Sequence, residues 1–577
     1  MRIHMSTIRP VAVALTGFVA ISVFATGCAS RRPVRTPRVI LNHDEAVAYT
    51  TYAATERATA DDLRQMVAFL SRSGVDTLTQ CVHTRWQAYY DSKVVEVAWD
   101  PRHAADQSAQ RAEDWACLSA MRRLVEVGDD PLKVLADACH RNGMRFVPSL
   151  RLNDSTELDE KDGRYGSFRR DHPQWKIPDS HAMDFAVSEV RQHILDVVEE
   201  LSQRYDIDGI DLDFMRHPRL FRDDQVRDQT AAMTGLVRQI RSVLDNAGEG
   251  RKQRLLLIVR VPMKIGEGEF TTDDPNDADL ECLGTGLDVP TWVSEGLVDI
   301  VCPMSFAATD WDRMIVAMAQ WRSLTEGTSC GVYPTIQTSP AAGYRPPWAR
   351  ADSYRGAAYS FYRHGADGVA LYNIGAHTLY NPWTRALGHM VGMTDGPYAS
   401  WNVVADMDDP ARLAVGPRRY HCYLGHVERV EKGQRETLEF YMPEDPQDAR
   451  RRPRLRFFAG NFTSLHRLEV DVNGVAVEPA SLRYERQVGS GLRKKTDSMP
   501  RMPYGHQVIF RLDGTAARQG MNTLGVTLVK SNPQIPRLIS QRTHPATQGG
   551  IVICLVEVLV DFDELPRYAV PGSLMRR

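Results

Sequence analysis

The chain has almost no excess of charge of either sign: 70 Lys and Arg face 73 Asp and Glu, a formal net charge of -3 over 577 residues. That balance gives no electrostatic reason to expect nucleic acid as a partner. Nine cysteines occur without C-x-x-C spacing, so neither a zinc site nor a disulfide framework is indicated. There is no internal repeat, no low-complexity tract, no His-Glu-x-x-His helix and no phosphate-cradling loop. No metal or cofactor is therefore expected. The apolar run 11–24 is too short to span a bilayer comfortably.

What is there begins at the N-terminus. Arg2, His4 and Arg9 precede the apolar run, which ends in Ala25-Thr26-Gly27-Cys28. This resembles a bacterial lipoprotein signal, in which small residues admit the peptidase and the cysteine becomes the lipidated first residue. The resemblance implies removal of residues 1–27, a lipid anchor at Cys28 and a place in the cell envelope. Ala29, rather than Asp, after the cysteine favours the outer membrane, facing the periplasm or the surface.

After a linker over 28–43, strand-like runs alternate with amphipathic helical stretches, as expected of a parallel sheet with crossover helices. The spacing predicts strands near 46–51, 75–83, 144–152, 207–214, 254–262, 298–305, 330–337 and 368–374. Helices are predicted over 60–73, capped by Thr59, and over 187–205, with Val190, Ile194, Val197, Val198 and Leu201 on one face. Eight strands over 44–395 predict a (β/α)8 TIM barrel, α/β in class. Beyond residue 396, alternating runs separated by Gly, Pro, Asn and Asp turns predict an antiparallel β-sandwich over 396–577.

The fourth predicted strand, Ile207-Asp208-Gly209-Ile210-Asp211-Leu212-Asp213-Phe214, carries acids where a barrel strand should be apolar. Residues two apart share a face, so Asp211 and Asp213 point one way. They sit at the C-terminal end, where barrel enzymes place their sites. The strands on either side end in Arg151 and Arg260, two cations expected to hold both acids ionised. Asp208 begins the strand on the opposite side and is expected to cap a turn. Further candidates to contact a substrate are Arg85, Asn153, Arg216, His217, Ser305, Tyr372 and Asn373, all at or just past strand ends. Trp86, Tyr89, Tyr90, Trp99 and Trp175, in the long connections after the second and third strands, are candidates to stack on sugar rings. A structural ion-pair network at the barrel top is the bland alternative for any one of these residues.

The stretch Asp206-Ile207-Asp208-Gly209-Ile210-Asp211-Leu212-Asp213-Phe214-Met215-Arg216-His217-Pro218 resembles the strand-four motif of the bacterial glycosyl-hydrolase-like family ten. Blocks at 76–90, 130–144, 172–175 and 292–299 agree in order, and the similarity runs roughly from 44 to 390. Gly209-x-x-x-Asp213-x-x-x-His217 is also similar to the nucleophile motif of the alpha-amylase superfamily. By position, the resemblance implies that Asp213 is the leading catalytic carboxylate, with Arg216 as its companion. Asp211 departs from it, standing where the family commonly has histidine.

Cleaving a glycosidic bond takes one carboxylate to support an oxocarbenium-like transition state and a second group to protonate the leaving oxygen. Asp213 suits the first task. For the second, Asp211, Glu157, Glu267, Glu269 and Asp310 stay open. The expectation is a lipid-anchored glycoside hydrolase acting on a polysaccharide or glycan. The alternative is a surface lipoprotein that binds carbohydrate without turnover.

Overall fold

A computed structural model describes residues 38–43, 59–99, 112–155, 165–267, 280–305, 311–337, 351–372, 403–423, 428–448, 451, 453–488, 502–532 and 550–563. The first set of strands is β1 (Val39–His43), β2 (Thr77–Thr84), β3 (Gln87–Ala88), β4 (Arg145–Arg151), β5 (Gly209–Asp213), β6 (Leu256–Pro262), β7 (Ile300–Met304), β8 (Gly331–Val332), β9 (Thr335–Gln337) and β10 (Val369–Tyr372). Their order across the sheet is β8-β7-β6-β5-β4-β2-β1-β10-β9, parallel throughout except for β3, which turns back on β2. Only Tyr333 and Pro334 separate β8 from β9, so one stretch of chain touches both ends of the order. The sheet curls round on itself with helices outside it, a TIM-like α/β fold.

Hydrogen bonds between strands that are not neighbours demonstrate the curl. Asn42 on β1 donates to Asp211 on β5 at 3.1 Å, and Arg260 on β6 donates to Thr335 on β9 at 3.4 Å. Such chords exist only if the inner faces of the strands look at one another. The outward residues Leu78, Phe146, Ile210, Leu212, Leu257 and Val301 join the apolar cluster shared with the helices. The predicted helices form at Ala60–Arg72 and Ser188–Arg204. Thr59 and Asp62 make a capping box on the first, and Val190, Ile194, Val197, Val198 and Leu201 are buried on the second.

Aspartates just before strands fasten the N-terminal rim. Asp76 accepts from the Arg38 and Val39 backbone, Asp208 from Phe146 N, Asp299 from Leu257 N and Asp367 from Val332 N. Each satisfies an amide at or next to the start of another strand. Asp208 thus lies on the expected side, but it pins β4 rather than capping its own turn.

The first strand corrects a boundary. It lies at Val39–His43, inside the stretch expected to be linker, and pairs with β2 and β10. The expected strand over 46–51 falls outside the described residues. Five buried residues in a row carry no alternation, so only their ladder partners identify them as a strand.

The remaining strands are β11 (Arg418–Tyr423), β12 (Glu428–Val430), β13 (Arg435–Met442), β14 (Arg454–Gly460), β15 (Arg467–Val472), β16 (Val475–Val477), β17 (Ser481–Val488), β18 (Met502–Arg511), β19 (Gly520–Lys530) and β20 (Ile551–Val560). They form two antiparallel sheets, β11-β20-β14-β18-β17 with β12 on β20, and β13-β19-β15-β16. Residues of both, among them Phe457, Phe510 and Val558 of one and Phe440, Val472 and Val526 of the other, share one apolar cluster. Residues 36–577 form one compact unit. The helix Ala351–Arg363 lies along β11, where a Cβ on Gly356 would fall 2.4 Å from the Arg419 carbonyl. Asp352 pairs with Arg419 across the same seam at 2.9 Å. Among the described residues, no helix is long and apolar enough to cross a membrane.

Candidate functional site

Asp211 and Asp213 both turn into the curled sheet and are fully buried. Three donors converge on Asp211 Oδ2: Ser149 Oγ at 2.6 Å, Asn42 Nδ2 at 3.1 Å and Arg260 Nη2 at 3.5 Å. Among the described residues, no donor reaches Asp211 Oδ1. Asp213 Oδ1 accepts from Met215 N at 2.9 Å, and its Oδ2 lies 3.9 Å from Arg260 Nε. One guanidinium therefore bridges the two acids. Burial on its own would lower the pKa of Arg260, but the adjacent carboxylates of Asp211 and Asp213 outweigh it and push the pKa up. The Arg260 guanidinium carbon also sits 5.4 Å from the centre of the Tyr372 ring. Cys302, beside Arg260 in the ladder, is held as a thiol: burial pushes its pKa up to about 12, with Arg260 opposing and the two aspartates reinforcing the shift.

The second expected cation goes elsewhere. Arg151 is the ladder partner of Asp213, yet its Nη1 donates to Asp154 Oδ2 at 2.9 Å. Asp154 is the hub of a second centre that the sequence reading missed. Its Oδ2 also accepts from Thr84 Oγ1 at 2.6 Å and lies 3.9 Å from Arg85 Nε, while His217 Nδ1 stands 3.4 Å from Oδ1. Burial acts to raise the Asp154 pKa. Arg85, His217 and Arg151 together overcome that and hold it well below the usual carboxylate range. Arg169, fully buried and 4.2 Å above the Tyr165 ring, donates to the Asp154 carbonyl. The one signal available in sequence was an aspartate three residues past the Arg that ends a strand.

The other expected residues divide. Arg85 and His217 adopt left-handed backbone, φ 55° and 58°, at the ends of β2 and β5. Arg216 is half-buried just past β5, and Ser305 is buried after β7. Asn153 is buried and its amide is engaged: its Oδ1 accepts from Met183 N and its Nδ2 donates to the carbonyls of Met183 and Arg219, clasping two connections together. Asn373, Cys28, Glu157, Glu269 and Asp310 lie outside the described residues; Glu267 is exposed. Of the loop aromatics only Trp175 keeps a partly open face. Trp86, Tyr89, Tyr90 and Trp99 are buried, Trp86 stacks on Phe168, Tyr90 donates to Glu200, and Trp175 stacks on His172 at 3.7 Å. Apolar rings placed on a connection anchor it when the protein core can cover them.

Two absences qualify the chemistry. Among the described residues no three His, Cys, Asp or Glu side chains gather as a metal cluster. A Gly-x-Ser-x-Gly spacing does occur at 327–331, but exposed Ser329 sits between a helix and the start of β8 rather than after a strand, so it is no nucleophile elbow.

Behind β2, His83 and His193 face each other with Nε2 atoms 3.1 Å apart, packed by Trp86 and Phe168. Burial lowers the His83 pKa to about 4 and the His193 pKa well below its usual value. Between that value and about 6.5 the unfolded chain binds a proton that the folded chain refuses. The contribution is thus present above pH 6.5 and is lost as pH falls toward 4, worth about 3 kcal/mol for His83 alone. Urea titrations at pH 7.5 and 4.5 should show this loss in the wild type and a smaller one in His193→Gln. Equal losses in the two proteins would refute the assignment.

No curated protein matches the chain. Solved structures similar to it include alpha-L-fucosidase isoenzyme 2 from Paenibacillus thiaminolyticus, 12% identical with a TM-score of 0.38, covering 67% of this chain and 51% of that one. The chain thus spans about half the length of that fucosidase. An alpha-amylase from Geobacillus thermoleovorans is also 12% identical, with a TM-score of 0.37 and coverage of 85% and 98%. An endo-1,4-beta-mannanase from Rhizomucor miehei is 10% identical, with a TM-score of 0.36 and coverage of 58% and 85%. The family match stops at residue 231, short of the expected 390, so β6 with Arg260 and the block at 292–299 lie beyond it. Within that limit, residues 49–231, which carry Arg85, Arg151, Asp154, Asp211, Asp213 and His217, match the family Glycosyl hydrolase-like 10.

Proposed function

We propose that this protein is a glycoside hydrolase that cleaves O-glycosidic bonds of a polysaccharide or glycan outside the cytoplasm, held to the envelope by a lipid at Cys28. The observation that carries the reading is Asp213, turned inward at the C-terminal end of β5, fixed by Met215 N and neighboured by Arg260. An inward carboxylate within reach of a guanidinium at a strand end suits the support of an oxocarbenium-like transition state. Arg85, Arg216 and His217 would bind the sugar from the same rim. The two antiparallel sheets are read as a β-sandwich accessory module.

A second reading, a carbohydrate-binding lipoprotein without turnover, is favoured by one observation. Both inward aspartates are fully buried, and Asp154, the third buried acid at these strand ends, is held too acidic to donate a proton near neutrality. Titrating the soluble form with a panel of glycans separates the two readings. Binding accompanied by new reducing ends supports the hydrolase, binding alone supports the binder, and the absence of both refutes each. For the anchor, cells supplied with labelled palmitate should label the wild type and not Cys28→Ser; equal labelling would remove it.

A further inference from the structure

We infer that Asp154 is a positioning residue: it sets Arg85 and His217 at the strand-end rim for contact with the glycan, and this rests on the glycosidase-type reading above. Its carboxylate draws together side chains from three strands. Thr84 and Arg85 come from the end of β2, Arg151 from the end of β4, and His217 from the turn after β5. Asp154 itself is fully enclosed, whereas the side chains of Arg85 and His217 keep 15% and 33% of their surface open. A carboxylate that cannot meet a ligand thus holds two groups that can.

The backbone supports the same assignment. Arg85, Trp86 and His217 all have positive φ, which costs a non-glycine residue energy and persists only where surrounding contacts over-determine it. Asp154 is one such contact at both Arg85 and His217, beside Tyr89 Oη at Arg85 and the Ser155 amide, which donates to His217 Nδ1 at 3.3 Å. At the Arg85 turn the space is also taken, since a Cβ on Gly166 would lie 2.5 Å from the Arg85 carbonyl. The hub adjoins the first centre directly: Arg151 is the ladder partner of Asp213, and Leu152 N donates to the Asp213 carbonyl. Held this way, the rim presents a cation and an imidazole at the strand ends that also carry Asp213, a pairing suited to sugar hydroxyls and ring oxygens.

The test has an arm without ligand and an arm with it. In Asp154→Asn, hydrogen–deuterium exchange should rise at 84–87 and at 215–219 while the strands β5 and β6 stay protected. Unchanged exchange at both turns overturns the inference. For a glycan that the wild type binds, Asp154→Asn should weaken affinity about tenfold or more, the worth of a charge-assisted contact. Combined with Arg85→Gln, the loss should be no greater than that of the larger single change, because both act through one contact. Additive losses, or unchanged affinity despite raised exchange, would mean a role in stability alone and overturn it. Thr84→Val, which removes the 2.6 Å hydroxyl bond without altering charge, gives the same readouts if Asp154→Asn does not fold. Should the wild type bind no glycan at all, the functional reading fails, and the exchange arm still decides whether Asp154 sets the two turns.

Discussion

On the proposed hydrolase reading, replacing Asp213 by asparagine is expected to lower glycan cleavage by about 10²-fold or more, the size of loss that follows removal of one group stabilising transition-state charge, with binding retained. Asparagine has nearly the same shape and its oxygen can still accept from Met215 N, so the turn after β5 should hold. What disappears, on the proposed hydrolase reading, is the carboxylate that would support the transition state. Because Arg260 would then face one carboxylate rather than two, part of its partner field is lost as well, and a modest fall in stability should accompany the kinetic effect. Reducing-end release and calorimetric affinity, measured on the same preparation, check the expectation. A variant that releases sugar at the wild-type rate would remove Asp213 from the mechanism.

Arg260→Met should be the most damaging of the stability changes. Arg260, Asp211 and Asp213 are all wholly buried, and the guanidinium is the one cation that the described structure places within ion-pair distance of both acids. Methionine fills much of the volume but leaves two carboxylates in a low-dielectric interior, and breaking a buried pair in this way typically costs about 3–5 kcal/mol. Arg260→Lys keeps the charge but loses the planar fork that reaches Asp211, Asp213 and Thr335 together, so it should fall between. Urea denaturation at pH 7 gives the comparison. A loss below about 1 kcal/mol for methionine would place the pair in the class of screened surface ion pairs and contradict its burial.

Much of the fold was legible because it depends on local periodicity. Apart from the short β3, which was not expected, the strands from β2 to β10 fall within a few residues of their expected places, the one expected over 330–337 forming as β8 and β9, and the helix faces match, since the repeats of apolar residues at two and at three or four positions are properties of the chain itself. β1 was misplaced for the same reason in reverse: Val39–His43 has no alternation to read, and its identity lies in partners about 35 and 330 positions away. The aromatic residues of the long connections read as a binding surface because composition does not reveal which side of a ring the core will cover.

For the candidate site, the sequence by itself determined that Asp211 and Asp213 share a face and sit at the end of a strand where an apolar residue was due. Alternation along an extended chain is fixed by backbone geometry, so no distant residue can change it. Only the tertiary structure decided which cation meets them. Arg151 and Arg260 flank Asp213 equally in the ladder, yet Arg151 reaches to Asp154, which gathers Thr84 from 70 positions away, and Arg260 reaches both Asp211 and Asp213. The reason is that a guanidinium on a flexible stem settles on whichever buried carboxylate the curl of the sheet brings within reach, and that curl is a property of all the strands together.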